Sequence, residues 1–233
     1  MKKINDFNFL KENMMGPNCV RILEELSKDF SMPPNARVLD LGCGKGLTSI
    51  FLAEEFGVQV YATDLWISAT ENFDRFRELG LDDKIVPIHA DVHELPYADG
   101  FFDAIVCIDS YPYYGAKEGF VDRYMAPLVR KGGFIAVAMP GLKKDLKDGI
   151  VPAELVPFWE EDMNFYSLDW WRKLWSKEET ITITHGKSMD CHQQAWDDWL
   201  QCDNNPYAVR DVEMMKAEDG KYFDTIEIIA TVK

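Results

Sequence analysis

Short apolar runs alternate with stretches of helical periodicity through the middle of this chain of 233 residues. The runs have the length of strands and are rich in β-branched and aromatic residues, whereas the stretches between them place apolar residues on one helix face. The predicted strands are residues 36–42, 58–64, 84–91, 102–109 and 132–141, and the predicted helices between them are residues 46–57, 66–80 and 116–129. Because strands that alternate with helices form βαβ units, the pattern predicts an α/β fold with a doubly wound, mostly parallel sheet.

The two ends of the chain have a different pattern. Residues 1–30 are predicted to be helical, with Asn18 as the N-cap of the second helix. Two strands of alternating polarity, residues 180–185 and 224–233, are separated by residues 186–223, which have helical character. We expect a single domain over the whole chain, made of a helical lid, a binding core and a substrate-side region, at residues 1–30, 36–140 and 141–233.

The loop after the first predicted strand, VLDLGCGKG at residues 38–46, carries the pattern D-x-G-x-G-x-G. A dinucleotide-binding loop reads G-x-G-x-x-G, which would need a glycine where this chain has Leu47. The carboxylate of Asp40 would also repel a pyrophosphate, whereas it would attract an ammonium group. A nucleoside with a zwitterionic amino-acid tail satisfies both features, and S-adenosylmethionine is such a ligand. The candidate cofactor-binding residues of the loop are Asp40, Gly42, Cys43, Gly44 and Gly46.

Acids also end the next two predicted strands. Asp64 lies 20 residues after Gly44, where a nucleotide-binding α/β fold has the acid that accepts hydrogen bonds from ribose hydroxyls. Asp91 ends the third strand, where its carboxylate or the amide of Val92 can reach an adenine edge. The carboxyl ends of these strands line one crevice, so we expect the acids to bind one ligand. The candidate cofactor-binding residues beyond the loop are Asp64, Leu65, Asp91, Val92 and Asp109.

Four successive motifs resemble those of the class I S-adenosylmethionine-dependent methyltransferases, most closely the UbiE-like small-molecule branch. The motifs are VLDLGCGKG, VYATD, HADVHELPY and FDAIVCIDS, all within residues 36–140. The resemblance implies a seven-stranded sheet of order 3-2-1-4-5-7-6, with the last strand antiparallel. It implies methyl transfer from S-adenosylmethionine to a nucleophilic N, O, S or C of a small molecule, with S-adenosylhomocysteine as the product.

The resemblance also implies a role for each acid. The glycine loop and Asp40 would hold the methionine part of the cofactor, Asp64 the ribose and Asp91 the adenine. The family joins its last two strands by a short turn, so the helical insertion at residues 186–223 is a departure in the substrate region.

The loop after the fourth predicted strand, DSYPYYG at residues 109–115, faces the transferable methyl group in this fold. Its candidates for contact with the acceptor are Asp109, Tyr111, Tyr113 and Tyr114. A turn with phenols at the surface is the alternative. For an acceptor that must lose a proton, the candidate bases are Asp109, Tyr113 and His185, the last at a predicted strand end near the pocket mouth.

The N-terminal helical segment is expected to act as a lid. The turn at residues 14–18 would cross the methionine end of the cofactor, and Phe7, Phe9 and Leu10 would pack on the pocket rim. Six of the seven tryptophans lie between residues 159 and 199. Tryptophans at helical spacing are more often core residues, and the alternative is that some line the acceptor pocket.

The charge pattern restricts the partners. With a net charge of −15, the surface is unsuited to nucleic acid or an anionic membrane. The chain begins without the apolar stretch of a signal peptide, and its five cysteines form no C-x-x-C pair, so we expect reduced thiols and a cytoplasmic protein. His185, Cys191, His192 and Cys202 match no zinc spacing, and the two cysteines are expected on one helix, so no metal is expected.

Two other functions are open at this point. An NAD-dependent oxidoreductase would need Leu47 in place of the third glycine and leaves Asp40 unexplained. A non-catalytic module that binds S-adenosylmethionine or S-adenosylhomocysteine would have the same motifs, because in-line methyl transfer requires no particular catalytic side chain.

Overall fold

The computed structural model describes residues 2–233, and over these residues seven strands form one sheet in the order β3-β2-β1-β4-β5-β7-β6. The strands are β1 (Arg37–Leu41), β2 (Gln59–Asp64), β3 (Ile85–His89), β4 (Phe102–Ile108), β5 (Val129–Leu142), β6 (Ile181–Ser188) and β7 (Phe223–Val232). The first five pair in parallel, whereas β7 is antiparallel to both of its neighbours. The expected fold class and sheet order are confirmed.

Helices cover both faces of the sheet. Over residues 2–233 the α-helices are α1 (Phe7–Asn13), α2 (Cys19–Leu26), α3 (Leu47–Phe56), α4 (Ala69–Glu78), α5 (Leu168–Trp175), α6 (His192–Trp199) and α7 (Pro206–Glu218). The side chain of Asn18 accepts hydrogen bonds from the amides of Val20 and Arg21, which confirms it as the N-cap of α2. α3 ends before Gly57, whose φ of +64° is left-handed, as the sequence indicated.

Two expected helices differ from the structure. Residues 116–129 contain no α-helix but a π-helical turn (Val121–Met125) and a 3-10 turn (Ala126–Leu128), because Gly119 is left-handed and Pro127 supplies no amide donor. Cys191 and Cys202 do not share a helix. α6 ends at Trp199, and a separate helix, α7, begins after Asn205, whose side chain is its N-cap.

The tryptophan-rich region packs into the core. Trp171 and Trp175 lie on one face of the sheet with the strand side chains of β5 and β7, and Trp196 and Trp199 lie on the other face. All four are at most 3% exposed. We therefore assign them to packing and not to the acceptor pocket.

The N-terminal segment is fastened to the insertion. Asn18 donates a hydrogen bond of 2.7 Å to Asp198 of α6, and Arg21 pairs with the same carboxylate. Glu25 accepts hydrogen bonds from the amides of Asp190 and Cys191. Within residues 2–233 the helices are all too short or too polar to cross a membrane.

Candidate active site

A cavity of about 290 Å³ opens at the carboxyl ends of the first four strands. Its wall is formed by the loops that follow β1, β2, β3 and β4, and by the N-terminal segment. The lining residues are 41–45 and 47–48, 63–66, 90–93, 108–110 and 113–114, and 13, 15–17 and 19. The cavity therefore lies where the sequence places the crevice. The turn at residues 14–18, which was expected to act as a lid, contributes residues 15–17 to its lining.

Two positions of the glycine loop, Gly42 and Gly46, are packed so closely that they leave no room for a Cβ atom. Gly42 has a φ of +74°, and a Cβ atom there would lie 2.1 Å from Oγ of Ser110 in the loop after β4. Gly46 has a φ of +79°, and a Cβ atom there would lie 2.5 Å from the ring of Phe76 in α4. Gly42 lines the cavity with Cys43 and Gly44, whereas Gly46 does not and serves the packing of α3 against α4.

Asp40 lies behind the cavity wall. Its side chain is fully buried, and Oδ2 accepts hydrogen bonds from Thr48 (2.6 Å) and Ser49 (2.5 Å). Oδ1 is buried without a hydrogen-bond partner among the described residues, and burial raises the pKa of this carboxyl to about 6. Thr48 lines the cavity and Asp40 does not, so Asp40 would act on a ligand from behind the wall.

Asp64 is held by three backbone amides. Oδ2 accepts from Gly44 at 2.8 Å, and Oδ1 accepts from Trp66 at 2.7 Å and from Ile67 at 2.9 Å. The side chain lines the cavity and joins the glycine loop to the loop after β2. A carboxylate has about four acceptor sites, so it can still accept from a ligand hydroxyl.

Asp91 lies at the far end of the same wall, with Val92 and Leu65. Its Oδ1 accepts from the amide of His93 at 2.8 Å and lies 2.6 Å from Nδ1 of the same residue. The amide hydrogen bond, and then the imidazole contact, hold the pKa of Asp91 below its usual value. This carboxylate is therefore ionised and open to a donor group of a ligand.

The loop after β4 places one acid and one phenol in the cavity. Asp109 adopts a left-handed φ of +60°, and its amide donates to the carbonyl of Ala138 at 2.8 Å. Burial, and then the charge of Asp211, raise the pKa of Asp109 to about 8. Tyr113 lines the cavity and meets the ring of Trp66 edge-on, with 5.3 Å between centroids.

The other tyrosines of this loop have packing roles. Tyr111 is fully buried, and its hydroxyl accepts a hydrogen bond of 3.1 Å from Nε1 of Trp175, so it is not an acceptor-contacting residue. Tyr114 lines the cavity, where its hydroxyl lies 3.0 Å from Oγ of Ser110 and 3.1 Å from Sγ of Cys107.

His185 lies away from the cavity and is withdrawn as a candidate base. β6 is an edge strand that continues to Ser188, so His185 is inside it and not at its end. Its Nε2 lies 2.9 Å from Glu227 and 3.6 Å from Asp29. Lys187 lies 3.1 Å from Asp29 and adds a positive charge to this group.

The N-terminal segment forms the remaining wall of the cavity. Met15, Gly16 and Pro17 line it, as the lid expectation requires. Phe7, Phe9 and Leu10 do not lie on the rim, because their side chains pack into the core on the α2–α3 face.

Sequence reasoning missed two groups that shape the wall. Asn72 of α4 is buried and donates a hydrogen bond of 2.9 Å to the carbonyl of Gly44. Ser110 donates a hydrogen bond of 3.0 Å to the carbonyl of Leu41. The sequence signal for Asn72 was an amide side chain in the middle of an amphipathic helix. The role of Ser110 is revealed only by the fold.

Substitution of Gly16 by Ala tests the contact between the N-terminal segment and the loop after β4. A Cβ atom at Gly16 would lie 2.1 Å from Oδ2 of Asp109, so the carboxylate of Asp109 must turn away or the two segments must separate. Overpacking of this kind costs about 1–3 kcal/mol. We expect Gly16→Ala to raise the S-adenosylmethionine Kd by about tenfold in calorimetry. The control is Ser31→Ala, at an exposed position just after this segment, and equal Kd values for the two variants would contradict the expectation.

Comparison with known proteins agrees with this geometry. Residues 38–133 match the family model described as "Methyltransferase domain". The chain is 35% identical over 119 residues to the methyltransferase GfsG of Streptomyces halstedii, covering 51% of this chain and 42% of the relative. It is 30% identical over 154 residues to a sarcosine/dimethylglycine N-methyltransferase of Halorhodospira halochloris, covering 63% and 54%. The chain thus spans about half the length of the curated relatives it matches.

A solved structure shares the fold. The geranyl diphosphate C-methyltransferase of Streptomyces coelicolor A3(2), in complex with Mg²⁺, geranyl diphosphate and S-adenosyl-L-homocysteine, superposes with a TM-score of 0.71 at 16% identity, over 91% of this chain and 77% of that one. Residues 38–133 thus contain a methyltransferase domain, and the observed sheet order is the one that the resemblance to the class I, Rossmann-like S-adenosylmethionine-dependent methyltransferases implies.

Proposed function

We propose that this protein binds S-adenosylmethionine in the cavity and transfers its methyl group to a nucleophilic N, O, S or C of a small molecule. The observation that carries the proposal is that one cavity is lined by the glycine loop, Asp64, Asp91 and Asp109. These residues come from the loops after four strands that are adjacent in the sheet.

The donor groups of the wall fit this cofactor. The buried Oδ1 of Asp40 has no partner among the described residues, so its charge is available to an ammonium group beside the glycine loop. Asp64 has one acceptor site left for a ribose hydroxyl, and the second oxygen of Asp91 can accept from an adenine amino group. S-adenosylhomocysteine in the related C-methyltransferase supports the same choice of ligand.

The chemistry divides between cofactor and chain. S-adenosylmethionine supplies a methyl group on a sulfonium, whose neutral leaving group makes the transfer intrinsically feasible. The chain holds the acceptor in line and excludes water with Leu41, Leu47 and Ile108, which line the cavity. Such positioning can lower a barrier by about 7–11 kcal/mol. Asp109 is the group that can take a proton from the acceptor, whereas burial raises the pKa of Tyr113 and keeps its phenol protonated.

A thermal-shift experiment separates this proposal from the oxidoreductase alternative. Ligand at 100 times its Kd stabilises a protein by about 2.7 kcal/mol, which corresponds to a rise of roughly 5–10 °C in the Tm of a chain of this size. We expect this rise with S-adenosylmethionine and S-adenosylhomocysteine, and none with NAD. Selective stabilisation by NAD would contradict the proposal.

A second experiment separates an enzyme from a binding module. The protein is incubated with a metabolite extract and S-adenosylmethionine labelled in its methyl group. Transfer of label to a small molecule, absent from a boiled control, is the expected result. Tight binding of the cofactor without any transfer would favour the non-catalytic module.

A further inference from the structure

The end of the cavity beside β4 is not needed for the cofactor groups assigned above. We propose that it holds a small cationic amine as the methyl acceptor, with Asp109 as both its counter-ion and its base. This inference rests on the proposed function, and it moves Asp109 from the cofactor to the acceptor.

Asp109 is the first observation. Its carboxyl lines the cavity and has no hydrogen-bond partner among residues 2–233. The backbone holds it firmly, because its amide is bonded to Ala138 and its Oδ2 lies against Gly16. A carboxyl that is largely buried without a donor is unfavourable when ionised, and a cationic ligand would remove that penalty.

The charge around this end of the cavity is the second observation. The charge of Asp211 acts on Asp109, and the pKa of Tyr113 is raised first by burial and then by Asp109, Asp162 and Asp211. Among the described residues, the basic side chains that line the cavity are Lys45 and His93.

Neither basic side chain serves the β4 end of the cavity. The ammonium group of Lys45 donates to the carbonyl of Glu12 at 3.0 Å, beside the glycine loop. His93 is engaged by Asp91 after β3. An acceptor that carries a phosphate or carboxylate would therefore find no positive charge beside Asp109, whereas an ammonium group would stabilise the ionised form of this carboxyl.

The aromatic pair is the third observation. Trp66 and Tyr113 are 66% and 53% exposed, yet both line the cavity. Large aromatic side chains are usually buried in a core, so two exposed rings that line a cavity are available to a ligand. Aromatic faces attract cations and stack on flat rings, which favours an amine over a neutral acceptor.

The transfer balances with the groups present. The acceptor enters as an ammonium ion opposite the Asp109 carboxylate and gives that carboxylate one proton. The lone pair of the resulting amine forms the new C–N bond while the C–S bond of the sulfonium breaks, with its electron pair retained by sulfur. The product is an N-methylammonium ion, and Asp109 returns its proton to solvent.

Calorimetry on the full-length protein saturated with S-adenosylhomocysteine tests the assignment with four probes of one shape: benzylamine, benzyl alcohol, benzoate and benzyl phosphate. We expect benzylamine to bind at least tenfold more tightly than the other three. Asp109→Asn should weaken benzylamine binding at least tenfold, lower kcat/KM for its methylation at least 20-fold, and leave the S-adenosylhomocysteine Kd within threefold.

The matched control is Asp219→Asn. Asp219 also has a left-handed backbone, with a φ of +52°, and Asn tolerates this conformation as well as Asp does. It lies at the C-terminus of α7, and its variant should behave like the wild type.

Several results would overturn the amine assignment. These are benzoate or benzyl phosphate binding as tightly as benzylamine, no measurable binding of benzylamine, or Asp109→Asn behaving like Asp219→Asn. The proposed function itself fails on a different result, namely that S-adenosylmethionine and S-adenosylhomocysteine do not bind.

Discussion

Replacement of Asp64 by Ala is expected to raise the S-adenosylmethionine Kd at least 100-fold and to destabilise the ligand-free protein. The carboxylate is 8% exposed and accepts from the amides of Gly44, Trp66 and Ile67, so its loss leaves three donors without their partner. Hydrogen bonds to a charged group contribute about 1.5–3 kcal/mol each, and because their losses are not additive we expect about 2–4 kcal/mol of destabilisation. The lost charge-assisted contact to a ribose hydroxyl, together with the loss of the bond that holds the glycine loop at Gly44, accounts for the affinity.

Calorimetry and thermal unfolding measure the two effects separately. For a chain of this size, the loss of stability corresponds to a fall in Tm of roughly 5–15 °C. The control is Asp83→Ala, because Asp83 is exposed in the turn before β3. Asp64→Asn should lie between wild type and Asp64→Ala, since it keeps the shape but loses the charge. An unchanged Kd for Asp64→Ala would contradict the assignment of this acid to the cofactor.

The sheet could be predicted because its strands are buried on both faces. β1 and β4 have almost continuous buried positions, so they appear in the sequence as short apolar runs that no amphipathic helix would show. The glycine loop was equally readable, since three left-handed glycines at alternate positions have few other uses. The sheet order itself came from the family resemblance and not from the pattern.

The acceptor side could not be read in the same way. Tyr111 and Tyr113 are two residues apart in one loop, and a 3-10 turn directs the first to Trp175 and the second to Trp66. Both partners are distant in sequence, so no local pattern distinguishes the buried phenol from the exposed one. His185 was misplaced because the pairing of β6 with β7 shifts register between Ile183 and His185, which lengthens the strand beyond its alternating pattern.

Asp40→Asn is expected to stabilise the ligand-free protein and to weaken S-adenosylmethionine binding by about 100-fold. Burial raises the pKa of Asp40 from 3.8 to about 6, which corresponds to a cost of about 3 kcal/mol for holding the ionised form at neutral pH. The amide can keep the contacts with Thr48 and Ser49, but its NH₂ group takes the place of the unpartnered Oδ1 and costs about 1 kcal/mol. A net gain of about 1–2 kcal/mol follows.

The pH dependence identifies the origin of this gain. Because the folded-state pKa lies above the unfolded value, the wild type loses stability as pH rises from about 4 through about 6, and the variant lacks this loss. The difference in Tm between Asp40→Asn and wild type should thus be small near pH 4 and reach its full size above pH 7. Ser49→Ala is the control, since it removes one donor to Asp40 and keeps the charge, so it should lower the Tm at pH 7. A Tm difference independent of pH would show that the charge of Asp40 does not destabilise the protein. An unchanged cofactor Kd in Asp40→Asn would show that this charge does not contribute to binding.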